Sequence, residues 1–203
     1  MSLPTHFFPD LPKAPHALEA ELVITTPMFL GSGGKDQHAT SIRPPSIKGA
    51  LRFWWRALQW PRLYFRFGNV ATALSALHAK EAELFGLAAG HKDAQGNDIG
   101  EQGRFRIHIV QPNVNVSDRY QPPVSVRYLL GKGLYHFRKG LLRKPLQHGR
   151  SFTLVLAAKP GARTMTPVQW QSLEEALLCW GLLGGLGNCG IRTFNITRLT
   201  ASD

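Results

Sequence analysis

The chain has 203 residues and a mass of 22.5 kDa, which suits one domain or at most two small ones. Hydrophobic residues make up 43% and aromatics 10%, enough for a packed core and too much for wholesale disorder. It carries 24 Lys+Arg against 13 Asp+Glu, a formal charge of +11, and its longest nearly apolar run, Ala176 to Gly187, is shorter than the ~20 residues of a spanning helix, so no integral membrane protein is expected.

Residues 1–19 carry Pro4, Pro9, Pro12 and Pro15 and read as an extended arm, not as a basic-then-apolar signal peptide. One domain is expected over residues 20–203. From Leu18 to Thr26 the pattern alternates in part, with Leu22 and Ile24 opposite Glu21 and Val23, and predicts a strand. Pro27 begins an irregular stretch that contains Gly31-Ser32-Gly33-Gly34 and runs to Pro44-Pro45. Ser46 is placed as the cap of a helix that ends at Pro61. A second helix is predicted over about Ala71 to Phe85, on the period of Leu74, Leu77, Glu81 and Leu84, with Gly86 as its stop. The turn residues between Gly90 and Gly103 mark a surface loop.

Arg104 to Val110 alternates strictly, Phe105, Ile107 and Ile109 against Arg104, Arg106 and His108, as a half-buried strand does. Residues 111–150 are Pro/Gly-rich and basic. They read as a long insertion with a hairpin around Gly131 to Gly133. Phe152, Leu154 and Leu156 alternate with Thr153, Val155 and Ala157 in a further strand. Pro167 opens a helix at its first position; that helix passes Trp170, Leu173, Ala176, Leu177 and Trp180 and stops at Gly184-Gly185-Leu186-Gly187. Phe194 to Leu199 is the last strand. The order predicts an α+β chain of ferredoxin-like, RRM-like βαββαβ type, an antiparallel sheet with helices on one face. Cys179 and Cys189 read as reduced cytosolic thiols, too few for a disulfide framework or a zinc site.

The charge is unevenly placed. Gln37 to Lys80 holds seven Lys/Arg and no acid, and Arg119 to Leu173 holds ten and no acid. The remainder is net −6. Two acid-free stretches point to a polyanion partner, not a membrane surface. Within the first, Lys48, Arg52 and Arg56 recur at i, i+4, i+8 and form one basic stripe, while Ile47, Leu51, Trp54 and Leu58 form the apolar one. Like charges at that spacing repel by a few tenths of a kcal/mol per pair, roughly, so a group outside the helix is expected to offset them, and phosphate is the simplest. Trp55 flanks the stripe, either to stack on a base or to fill the core. Lys35 and Arg43 bracket the Gly31, Gly33, Gly34 loop, whose amides, with a helix start at Ser46, suit an anion. Arg138, Lys139, Arg143 and Lys144 lie in the second stretch as further candidate contacts for the polyanion. His136 and His148 in that stretch are equally open to phosphate.

Gly185-Leu186-Gly187-Asn188-Cys189-Gly190 fits G-x-G-x-x-G in form, but it follows a helix and precedes a strand, the reverse of a dinucleotide site. It reads as a turn that lies against a ligand backbone or as a plain turn. No His/Cys set has metal spacing, so no metal and no cofactor are expected. Asp36 and His38 are the one acid/base pair beside the basic helix, and they read either as solvated loop residues or as the general acid and base of a ribonuclease.

The strings Thr25-Thr26-Pro27-Met28-Phe29-Leu30-Gly31 and Ile42-Arg43-Pro44-Pro45-Ser46-Ile47-Lys48-Gly49-Ala50-Leu51-Arg52-Phe53-Trp54-Trp55-Arg56-Ala57-Leu58 resemble the signature of the RAMP superfamily of CRISPR proteins. The second is similar to the first RAMP subunit of the Cmr, or type III-B, effector complex. Glu81-Ala82-Glu83-Leu84-Phe85-Gly86 resembles the family segment before its second strand, and Gly184, Gly185, Gly187 and Gly190 fall at its glycine-rich loop. The resemblance implies a cytoplasmic, non-catalytic RNA-binding subunit that meets crRNA or target RNA and other effector subunits in antiviral defence. It carries over RNA contacts at Arg43, Ser46, Lys48, Arg52 and Arg56. The family subunit usually holds two ferredoxin-like units, and its loop often has several Arg and Ser where this chain has Asn188 to Ile191 and then Arg192. Two other readings stay open: an RNA-cleaving RAMP endoribonuclease that uses Asp36 or His38, and a scaffold whose Phe- and Trp-rich segment Phe53 to Phe67 meets protein.

Overall fold

The computed structural model describes residues 17–30, 41–87, 90, 95–96, 100–110, 120–161, 164–183 and 195–202, with the backbone alone at 132, 182, 183 and 195–202. In chain order the main elements are β1 (Ala17–Val23), α1 (Pro44–Phe67), α2 (Val70–Phe85), β2 (Phe105–Val110), the short helices α3 (Val124–Leu129) and α4 (Gly131–Leu134), the two-residue strands β3 (Tyr135–His136) and β4 (Gly140–Leu141), then β5 (Ser151–Ala158), α5 (Pro167–Leu183) and β6 (Asn195–Ser202). The architecture is mixed helix and sheet. The four long strands lie in the order β2-β5-β1-β6, every neighbouring pair antiparallel.

Alternation sets the two faces of this sheet. Leu18, Ala20 and Leu22 of β1 and Phe152, Leu154 and Leu156 of β5 are buried in one cluster with Ile47, Leu51 and Trp55 of α1 and Leu173, Ala176, Leu177 and Trp180 of α5. Opposite them, Glu19 and Glu21 of β1 and Arg106, His108 and Val110 of β2 are exposed. Register places Glu19 beside Val155 and Thr200, and Glu21 beside Thr153 and Arg198.

Helix α1 departs from its predicted limits at both ends. Its N-cap is the extended Arg43, and Pro44 and Pro45 take the first two helical positions, where a missing N–H costs nothing. Ser46 therefore sits inside the first turn and is not the cap. At the other end the helix runs through Pro61 to Phe67. Proline removes one ladder bond there, but Leu63 is buried in the main core and Arg62 pairs with Glu175 of α5 at 2.9 Å. These tertiary contacts hold the last two turns. Gly68, at φ 64°, ends the helix and donates its N–H to the Tyr64 carbonyl at 2.8 Å. The predicted apolar stripe is also one position off: Trp55 enters the core, while Trp54 and Leu58 pack only at its edge.

Helix α2 starts at an Asn69 cap, whose side chain accepts from the Thr72 N–H at 3.1 Å, and stops at Gly86 as predicted. Helix α5 opens with Pro167 inside a reciprocal cap. The Gln169 N–H donates to Thr166 Oγ1 at 3.3 Å, and the Thr166 N–H donates to Gln169 Oε1 at 3.0 Å. Between β2 and β5, the stretch around Gly131 to Gly133 is helical, not a hairpin. The hairpin follows it, as β3 and β4, with Gly140 at φ 73° closing a tight turn. Phe29, Leu130 and Leu134 form a second small core there. A Met28–Leu146 bridge ties the end of this stretch back to the segment after β1. No helix among the described residues is long and apolar enough to cross a membrane.

Candidate nucleic-acid interface

The stripe on α1 faces the end of α2, and what lies between them is Glu81. The carboxylate is buried, with its side chain 6% exposed. It accepts from Arg56 Nε and Nη2, both at 2.5 Å, and forms an ion pair with Arg52 Nε at 2.8 Å. Arg52 Nη2 also donates to the Gly86 carbonyl at 2.8 Å, and its guanidinium lies 5.5 Å from the Phe85 ring centroid. The expected offset to the like charges on α1 is thus supplied from within the chain, by one carboxylate shared between two arginines. The hydrogen bonds to Glu81 hold the Arg56 guanidinium above its ordinary range, against the opposing effect of burial. Arg52 and Arg56 still keep 34% and 47% of their side chains exposed, so each presents a free edge beside its bond to Glu81.

Lys48 is half-buried one turn before Arg52. Burial first, and then the like charges of Arg52 and Lys159, push its ammonium below the usual lysine range. Arg43 is exposed at the N-cap, and Ser46 is half-buried in the first turn. Trp55 is not a stacking platform. It is 3% exposed, donates its Nε1–H to Ser172 Oγ at 3.0 Å and packs edge-on against Phe85 with centroids 5.8 Å apart. A base cannot reach a ring held in that way.

The wall behind Arg52 is built from backbone. Gly86 bridges to Gln102, Leu87 N–H donates to Glu101 O at 2.7 Å and Arg104 N–H donates to Leu84 O at 3.0 Å. A side chain at Gly86 would meet Glu101 O at 2.6 Å, and one at Gly103 would meet Phe85 O at 2.7 Å, so both positions need glycine. Arg104 is buried and is held by Glu83 and by Gln169 Oε1, the latter at 3.0 Å. Its role is structural: it pins the start of β2 to α2 and α5.

The second basic group stands on the β3–β4 hairpin. His136 Nδ1 accepts from the amides of Arg138 and Lys139 at 3.2 and 3.3 Å, which fixes the turn. Phe137, 76% exposed, stacks on His136 with centroids 5.0 Å apart, and the Arg138 guanidinium covers it at 5.2 Å. Arg138 and Lys139 are exposed at the tip; Arg143, half-buried, and Lys144, exposed, follow β4. The stripe stands on a helix of the main core, whereas Tyr135 and Leu141 of the hairpin pack on the second, small cluster. Lys35, Asp36 and His38, and the loop glycines Gly31, Gly33, Gly34, Gly184, Gly185, Gly187 and Gly190, lie outside the described residues. Among the described residues no group of three or more His, Cys, Asp or Glu is placed to hold a metal.

Two contributors were missed from sequence. Glu81 looked like part of the helical period of α2, and only its place after an acid-free stretch of seven cations could have marked it as their shared partner. Lys159 belongs to the second acid-free stretch, but no local pattern there pairs its charge with that of Lys48, more than a hundred residues away in the chain.

A family model described as the RAMP superfamily matches residues 21–190. Among solved structures, a chain of a type III-B Cmr-beta complex bound to cognate target RNA is 15% identical with a TM-score of 0.55, and the alignment covers 93% of this chain and 55% of that one. This chain thus spans about half the length of that neighbour. A chain of a type IV-B CRISPR complex is 14% identical with a TM-score of 0.53, covering 92% of this chain and 90% of the other. At such identities the likeness is one of fold. No curated protein matches the sequence.

Proposed function

The chain belongs to the RAMP superfamily, and we propose that it is a non-catalytic RNA-binding subunit of a type III-B CRISPR effector complex, contacting crRNA or target RNA along α1. The carrying observation is the stripe of Lys48, Arg52 and Arg56 on that helix, with the exposed Arg43 at its N-cap. Arg52 and Arg56 are oriented by Glu81 yet remain partly open to solvent, the state in which a guanidinium can add a phosphate oxygen to bonds it already has. The two structural neighbours come from CRISPR complexes, one of them bound to target RNA, which supports RNA and other effector subunits as partners.

The same reading takes residues 20–203 as one ferredoxin-like, RRM-like unit with 111–150 as a basic insertion. The antiparallel order β2-β5-β1-β6 supports it. It does not place RNA on the sheet as an RNA-recognition module would, by stacking bases on sheet aromatics. The open face carries Glu19 and Glu21 on an inner strand and no Phe, Tyr or Trp among the described residues.

One observation favours a scaffold role alongside. Phe53, Tyr64, Phe65 and Phe67 are exposed on α1, Phe65 at 85%, and aromatics with arginines are what protein interfaces enrich. The test of the main reading is a Lys48→Ala/Arg52→Ala/Arg56→Ala variant of the full chain. Loss of single-stranded RNA binding with an intact fold is expected, and parental binding overturns the assignment.

A further inference from the structure

We propose that a recess between the segment after β1 and the segment before β5 takes one unpaired base of the bound RNA. The inference rests on the RNA-binding reading and adds a contact of a different kind, to a base where the α1 stripe meets phosphate. Pro27, Tyr120, Pro145 and Leu146 give the recess apolar walls, and Gln121, Gln147 and His148 give it polar groups. Its volume is about 220 Å³, below the roughly 300–1,000 Å³ of sites for drug-sized ligands, so it suits one flat ring system and not a whole nucleotide. Among the described residues no Asp, Glu, Lys or Arg lines it. Such a lining favours a neutral heteroaromatic ring over a phosphate or a cation, whose charge it would leave unpaired.

The walls are held in place by the fold. Leu146 is buried and exchanges both backbone hydrogen bonds with Met28, at 3.2 and 2.8 Å, and the Gly149 N–H donates to the Ile24 carbonyl at 2.7 Å. Arg127 Nε donates to the Pro122 carbonyl at 3.0 Å, which fixes the backbone beside Gln121. The Tyr120 ring packs edge-on against Phe29 with centroids 6.2 Å apart, and burial holds its phenol above the ordinary range, so it stays uncharged. The polar groups, by contrast, are unspent. Among the described residues the side chains of Gln121, Gln147 and His148 make no hydrogen bond, and all three residues are exposed. Each amide offers a donor beside an acceptor, the pattern that the edge of a base presents in return. The surroundings suit the rest of the RNA. Every lining residue but Pro27 comes from the acid-free stretch Arg119 to Leu173, and exposed Lys144 and Arg150 flank the 145–148 segment in the chain. Single-stranded RNA is recognised in this way, with the backbone held by cations and a splayed base stacked and bonded at its edge.

The experiment measures binding of the full chain to labelled oligoadenylate, oligocytidylate and oligouridylate, and to an abasic oligonucleotide of the same length, for the parent and for Gln121→Ala/Gln147→Ala. The parent is expected to distinguish the three homopolymers. The double variant is expected to bind the preferred one about tenfold more weakly, the worth of two neutral hydrogen bonds, and to bind the abasic chain as the parent does. Its salt dependence should keep the parental slope, because no charge is removed. Both glutamines are exposed and unbonded, so the variant keeps the parental urea midpoint. A parent that binds the homopolymers alike, parental affinity of the variant for every probe, or a loss that extends to the abasic chain or flattens the slope overturns the base pocket, while RNA binding by the parent still stands. A parent that binds none of the probes overturns both.

Discussion

Replacing Glu81 tests the junction between α1 and α2 directly. The carboxylate is 6% exposed and meets Arg52 at 2.8 Å and Arg56 at 2.5 Å. At an effective dielectric of about 20, a pair at that separation attracts by about 6 kcal/mol, most of which is spent on desolvating the carboxylate. Breaking a buried pair by removing one partner costs ~3–5 kcal/mol. The arginines are one-third to one-half exposed, so solvent screens part of that. The Arg52–Arg56 repulsion, no longer offset, adds a few tenths of a kcal/mol, roughly. Glu81→Ala is therefore expected to destabilise the chain by about 2–3 kcal/mol. Glu81→Gln, which keeps the shape and one acceptor, should cost about half as much. Urea unfolding followed by tryptophan fluorescence reads this as a lower midpoint at unchanged slope. A loss below about 0.5 kcal/mol in Glu81→Ala would refute the claim that this carboxylate clamps the two helices.

Lys48→Met should stabilise the free protein at neutral pH by a few tenths of a kcal/mol, roughly, since it removes a crowded charge and keeps the apolar stem. The pH dependence has a definite sign. The folded-state pKa of Lys48 is lowered, so between that value and the ordinary lysine value of about 10.4 the unfolded chain holds a proton that the folded chain does not. The penalty is full below this window and fades as pH rises through it, so the advantage of Lys48→Met should shrink over the same range; an advantage that grows with pH contradicts it. Trp55→Phe loses the bond to Ser172 and some volume, which predicts a loss of about 1–2 kcal/mol in urea unfolding. RNA affinity of the folded variant should stay within about twofold of the parent, since a buried ring touches no base; a tenfold loss would return Trp55 to the binding surface. Gly86→Ala should be among the most damaging single substitutions, costing at least about 3 kcal/mol, because it combines a positive φ with a backbone clash at Glu101; a midpoint near the parent's would show that the two segments separate easily.

Much of this was legible in the sequence because local patterning and tertiary demand agree. The strict alternation at 105–110, the Gly86 stop and the Pro167 start are local signals, and the structure keeps them. The failures arose where a distant contact overruled a local rule. Pro61 would end an isolated helix, but Leu63 and the Arg62–Glu175 pair carry α1 beyond it. Ser46 is a good capping residue by type, yet two prolines before it move the helix start to Arg43. Trp54 and Trp55 are adjacent, and choosing which enters the core depends on where α1 crosses α5, which no window of α1 contains. The site shows the same division. The stripe Lys48, Arg52 and Arg56 follows from spacing alone, whereas its neutralisation by Glu81 follows from packing.

The most direct test of RNA binding along α1 is the salt dependence of RNA affinity for the purified full chain. Four cations, Arg43 at the N-cap and Lys48, Arg52 and Arg56 on the helix, belong to the proposed track, and Glu81 offsets about one of them. Roughly three effective phosphate contacts at about −0.7 each predict a slope of log K against log salt near −2. The triple α1 variant should bring that slope to about −1 or less. A parent that binds no RNA, or whose slope is unchanged by the triple substitution, would contradict the account.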